Sequence, residues 1–172
     1  VPACIISAGG IVYSLRKTAR IAKDRIIPLI GTMAAFIFAA QMLNFPVMGG
    51  TSGHLLGGVL AAVMLGPYAG AVTISVVLIV QCLIFQDGGL TALGANILNM
   101  ALIGTIGGYY IYSWLRKIVG AERLLVAVAL ASWLSVVLAS CACAIELAIS
   151  GTSPLGVALP AMAGVHALIG IG

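Results

Sequence analysis

One imidazole sits among glycines in the run Gly49-Gly50-Thr51-Ser52-Gly53-His54-Leu55-Leu56-Gly57-Gly58. Neutral imidazole is a good donor to Ni(II), Co(II), Cu(II) and Zn(II). Gly49, Gly50 and Gly53 would let backbone come close to an ion. A single ring does not hold a transition metal tightly, so further donors have to come from elsewhere. The same histidine could instead be catalytic or serve an interface. Read as the start of a helix, the position also disfavours a cation, because a helix N-terminus is its positive end. An anionic or amide ligand would have to offset that.

Such groups occur in the stretch Phe85-Gln86-Asp87-Gly88-Gly89, which leads through Leu93-Gly94-Ala95 to Asn96 and then Asn99. Asp87-Gly88 is a turn signal. Asp87 either lines a site or is a solvated turn residue. Asn96 and Asn99 are three apart and share a helix face. The pair either lines a site or bridges helices. Glu146 reads as a solvated carboxylate at the end of an apolar segment.

A second chemistry is open on the same residues. Gly50-Thr51-Ser52-Gly53 fits G-x-S-G, and His166 lies in the last apolar segment, the pattern of an intramembrane serine protease. A Ser–His pair needs about 3 Å. Ser52 falls at the edge of its segment, and His166 lies about 15 Å into a helix at 1.5 Å per residue. Only a strongly re-entrant third segment would close that gap. His166 otherwise reads as a packed helix residue, hydrogen-bonded to a neighbour. Cys4, Cys82, Cys141 and Cys143 all fall in apolar segments and read as small packing residues.

The elements that must position these groups are membrane helices. The chain of 172 residues is 62% hydrophobic and 7% charged, with a mean hydropathy of +1.22. A soluble domain carries about 25% charged residues, so a globule of this composition could not be covered by polar surface. The fold class is an all-α integral membrane protein, a single domain over residues 1–172. No ATPase or nucleic-acid module is encoded. Seven apolar segments run roughly over Pro2–Leu15, Ile27–Phe45, Thr51–Leu65, Ala71–Phe85, Asn96–Leu115, Leu124–Leu147 and Val157–Gly172. The third and fourth are short against the roughly 20 residues of a full span. Backbone polar groups must be satisfied internally in lipid, so all seven are expected as helices. With no initiator Met and an end inside an apolar run, the chain reads as cut at both termini.

All eight Lys/Arg fall in two clusters, Arg16, Lys17, Arg20, Lys23 and Arg25, then Arg116, Lys117 and Arg123. Both lie on one side if every segment crosses, and the positive-inside rule makes that side the cytoplasm. Tyr112 and Trp114 would stand in its aromatic belt, and Gly66-Pro67-Tyr68-Ala69-Gly70 would form a tight turn there. The N-terminus is then outside and the C-terminus inside. The outer loops carry His54 and Asp87 but no Lys or Arg, so an approaching cation meets no fixed positive charge. In the second segment, Gly31, Ala35 and Ala39 make a stripe of small residues four apart. It serves either internal packing or docking of a partner membrane protein.

The motif Phe45-Pro46-x-x-Gly49-Gly50-Thr51-Ser52-Gly53-His54-Leu55-Leu56-Gly57-Gly58 resembles the substrate-capture (S component) protein of cobalt/nickel energy-coupling-factor transporters. So do Gln86-Asp87-Gly88-Gly89-Leu90 with Leu93-Gly94-Ala95-Asn96, and the closing Val165-His166-Ala167-Leu168-Ile169-Gly170. The match covers most of the chain, in order. It implies a seven-helix bundle in a prokaryotic plasma membrane that captures Ni2+ or Co2+ as cargo and needs no cofactor. It implies delivery to a transmembrane coupling protein and two ATPase subunits, which hydrolyse the ATP. The family's metal-ligating histidine falls on His54, and its docking stripe on Ala35 and Ala39. The family begins with Met-His, whose nitrogens complete a planar site; this sequence starts after that point.

Overall fold

The computed structural model describes residues 2–21, 26–47 and 51–171; the side chains of residues 44–46, 51, 52 and 121 lie outside that description. Lys23 and Arg25 of the first basic cluster, and Gly49 and Gly50, therefore fall outside it. Seven helices are formed among the described residues. They are α1 (Pro2–Ile21), α2 (Ile26–Gln41), α3 (Gly58–Leu65), α4 (Pro67–Phe85), α5 (Gly89–Val119), α6 (Leu124–Ile149) and α7 (Leu155–Ile169). The seven-helix membrane bundle is as expected. Helices α4, α5 and α6 are each long and apolar enough to cross a bilayer.

One expected helix is half replaced. Thr51–His54 is a strand, β2, paired antiparallel with β1 (Asn44–Val47) in the register Asn44–His54, Phe45–Gly53, Pro46–Ser52, Val47–Thr51. Only eight residues of the third segment, α3, are helical, about 12 Å at 1.5 Å per residue. The physical reason lies in composition. Glycine is a poor helix former and threonine and serine middling ones, so the stretch around Gly53 has little to hold it helical. Extended backbone is tolerated at membrane depth when protein surrounds it, and the hairpin ladder pairs its polar groups.

Other boundaries move for local reasons. Helix α4 begins at Pro67 rather than Ala71. Gly66 makes the break at φ +87°, and Pro67 takes the first helical position, where its missing N–H costs nothing. Helix α1 runs past Leu15 through Arg16, Lys17 and Arg20, which are good helix formers and favourable at a C-terminal end. Lys17 Nζ lies 5.7 Å from the centre of the Tyr13 ring. Helix α5 starts at Gly89, well before Asn96, and carries a π-helical stretch over Ile97–Gly107. Within α5, Trp114 is exposed as a belt residue would be, but Tyr112 is not. It is buried against Val59, Ala127 and Ala131, since it lies on the inward face of the amphipathic end of α5.

The core is built from Ile37, Leu56, Ala61, Ile74, Met100, Ala101, Val136 and Ala139. Close approach rather than bulk holds α3 in place. A Cβ added at Gly58 would lie 2.8 Å from the carbonyl oxygen of Gly104, and one at Gly70 would lie 3.0 Å from the Ala61 backbone. Small residues at such crossings are what membrane helices use to pack without a hydrophobic driving force between them.

Candidate metal centre

The hairpin enters the bundle instead of lying on it. Helix α3 starts beside Gly104, near the middle of the 31-residue α5. Val47 of β1 is buried against Ala144 of α6 and Ala158 and Met162 of α7. Gly53 of β2 lies against His166 and Ile169, close to the far end of α7. The third segment is thus a hairpin followed by a half-helix rather than one continuous helix, and its end at Leu65–Pro67 lies beside Ile21 and Ile26, where α1 ends and α2 begins.

His54 sits at the base of this hairpin, opposite Asn44 and four residues before α3 begins. Because a helix dipole acts within its first turn, most of the cost expected for a cation at a helix start falls away. The His54 ring is half-buried, and its Nδ1 is enclosed without a hydrogen-bond partner among the described residues. Burial pushes the His54 pKa below the usual 6.5; the Asp87 carboxylate pulls it back up, and the His166 ring pushes it down again. The ring is therefore neutral at pH 7. With its proton on Nε2, Nδ1 offers a lone pair that no described residue takes up.

Asp87 stands on a built turn. Its carboxylate is half-buried, and its charge is the influence that raises the His54 pKa. The turn is made by left-handed backbone at Gln86 (φ +55°), Gly88 (+72°) and Gly89 (+70°). The Asp87 N–H donates to the Gln81 carbonyl at 3.2 Å. Asn96 packs its amide over this turn, where any Cβ at Gly88 would collide with it. The two asparagines thus have different tasks. Asn99 is buried and bridges helices, donating from Nδ2 to Glu146 Oε2 at 2.7 Å. Glu146 is consequently not the free, solvated carboxylate expected. The pairing joins residues 47 apart in sequence, which spacing within one segment does not reveal.

Two amides are not singled out by the sequence motifs. Gln41, 1% exposed, donates from Nε2 to the Leu56 carbonyl at 2.7 Å, tying the end of α2 to the chain just after His54. Gln81 is buried beneath the Asp87 turn. The available signal was that each is a lone amide in an otherwise apolar helix.

His166 is buried, with Nδ1 2.8 Å from the Met162 carbonyl, the neighbour bond expected of it. Its contact with Gly53 corrects the depth expected from helix rise, because the hairpin strand brings the chain down to it. Ser52 shares that strand. The stripe of Gly31, Ala35 and Ala39 is exposed on α2, while Met33, Ile37 and Gln41 face the core. A Cβ at Gly31 would meet nothing within 4 Å. Internal packing is therefore not its role in this chain. Cys82 is buried, Cys141 and Cys143 half-buried and Cys4 exposed.

Residues 1–172 match the family model of CbiM, the cobalt uptake substrate-specific transmembrane region. The chain belongs to this family. Among CbiM-like relatives it is 44% identical over 169 residues to the putative fused nickel transport protein NikMN of Archaeoglobus fulgidus, covering 97% of this chain and 55% of that one. It is 37% identical to the fused nickel transport protein NikMN of Rhodobacter capsulatus, covering 91% and 49%. It thus spans about half the length of these curated relatives. Its fold superposes on the crystal structure of a truncated transition metal transporter with a TM-score of 0.89 at 30% identity, covering 99% of this chain and 87% of that one. By their names these relatives are nickel and transition-metal transport proteins.

Proposed function

We propose that this protein captures Ni2+ or Co2+ at its outer face and delivers it to an ATP-driven energy-coupling-factor complex. The observation that carries this is the His54 Nδ1, an enclosed nitrogen of a neutral ring with no partner among the described residues. An unshared buried lone pair costs free energy unless something takes it up, and a borderline divalent cation is a suitable occupant. Asp87 brings a negative charge towards it. The remaining nitrogen donors come from residues N-terminal to α1, as the family resemblance implies. Helix α1 begins at the right end for this: Ser7 Oγ donates to the Gly94 carbonyl at 2.6 Å, in the same part of α5 that supports the Asp87 turn.

The exposed small-residue face of α2, Gly31, Ala35 and Ala39, docks the transmembrane coupling protein, and two ATPase subunits supply the energy. The basic loops face the cytoplasm and the hairpin end faces outward. Reconstitution of the full-length protein with the coupling protein and ATPases in vesicles tests this reading. ATP-dependent accumulation of Ni2+ or Co2+ is expected. Accumulation that needs neither ATP nor the partners would contradict it.

A further inference from the structure

The chain leaves α2 at Gln41 and returns to it at Leu56. Strand β1 starts three residues after Gln41, and the pair Asn44–His54 forms the base of the ladder. The hydrogen bond from Gln41 Nε2 to the Leu56 carbonyl, at 2.7 Å, closes that base and joins residues 15 apart. The ladder has four paired positions, and a two-stranded hairpin of that size is marginal alone. A further contact lies one turn back along α2. Gly57 holds a left-handed φ of +69°, and a Cβ there would come 3.1 Å from Ile37 Cγ1. The backbone of His54 is thus held on both sides, by its Asn44 pair and by the fixed residues that follow it. Its Nδ1 makes no hydrogen bond among the described residues that would aim the ring. Where the ring points follows from where its backbone is held.

Stability gives little reason for an amide at position 41. Gln41 is buried, and its Oε1 is enclosed without a partner among the described residues. A buried acceptor left unpaired costs free energy. Turning the amide over would set Oε1 against the Leu56 carbonyl, acceptor against acceptor. Methionine has a similar length, needs no such partner and fills apolar gaps readily.

We propose that Gln41 is a positioning residue for metal capture: by closing the hairpin base onto α2, it holds His54 where Nδ1 meets the incoming cation. The inference deepens the metal-capture reading and rests on it. Gln41 is not itself a ligand. It acts through the backbone of Leu56, as groups behind a metal ligand do when they fix its orientation. A loop ordered beforehand is not ordered at the cation's expense, so affinity is higher.

The test is Gln41→Met in the full-length protein, with Ni2+ as probe. Calorimetry should show affinity at least about tenfold weaker. The melting temperature of the metal-free protein should stay at the wild-type value, because loss of the Leu56 bond is offset by removal of the enclosed Oε1. Hydrogen exchange on the metal-free protein should be faster at Gly53, His54 and Leu55, while α4, α5 and α6 exchange as before. A variant that does not fold, or whose affinity and melting temperature fall together, would make Gln41 a packing residue and overturn the proposal. Wild-type affinity, or wild-type exchange at the hairpin base, would overturn it as well. His54→Ala separates this result from the capture reading. Tight binding that survives His54→Ala counts against capture at His54, whereas exchange at the hairpin base of Gln41→Met decides whether Gln41 holds the hairpin.

Discussion

At the scale of the residue, the protonation of His54 sets the pH behaviour. Its folded pKa lies below 6.5 because burial outweighs the pull of Asp87. Metal competes with protons for the ring, so Ni2+ affinity should hold as pH falls through 6.5 and drop only at lower pH. Calorimetry across this range checks it; a midpoint at or above 6.5 would deny the burial. The same shift makes a stability statement. Below 6.5 the unfolded ring takes a proton that the folded ring does not, so the metal-free protein should lose stability as pH falls from 6.5 to the folded value and then level off. His54→Ala should flatten that part of the melting-temperature profile. His54 and Asp87 were legible because each is a lone charged or ligating group among glycines. The Asn99–Glu146 bond was not, because it depends on how α5 packs on α6.

At the scale of the element, the hairpin and half-helix position the site. A hydrophobic run as short as Thr51–Leu65 does not declare strand or helix by its period, and the demand for internal pairing in lipid favoured helix. The bundle instead packs around the hairpin, whose glycine, threonine and serine leave it little to hold it helical. Two glycines separate the outcomes. Gly58→Ala would place a methyl 2.8 Å from the Gly104 carbonyl oxygen, against backbone that cannot step aside. It should cost about 1–3 kcal/mol, as overpacking does. Gly31→Ala, with nothing within 4 Å, should cost nothing and gain up to about 1 kcal/mol from helix propensity. Thermal unfolding of both variants in detergent is the measurement. Equal melting temperatures would mean that α3 does not start against α5.

At the scale of the whole molecule, hydropathy and charge made the seven-segment membrane bundle legible, since a chain with 7% charged residues has few other folds open to it. The exposed face of α2 is a surface property that sequence left undecided between packing and docking. Ala35→Leu with Ala39→Leu should weaken co-purification with the coupling protein while Ni2+ binding stays unchanged, because these side chains point away from the core that holds the hairpin. Unchanged co-purification would assign the docking face elsewhere. The most direct test of metal capture itself is equilibrium titration of Ni2+ into the full-length protein and into His54→Ala. The bundle should stay folded, since the ring sits at the hairpin base outside the packed core, and affinity should fall by at least about a hundredfold. Wild-type affinity in His54→Ala would contradict metal capture at His54.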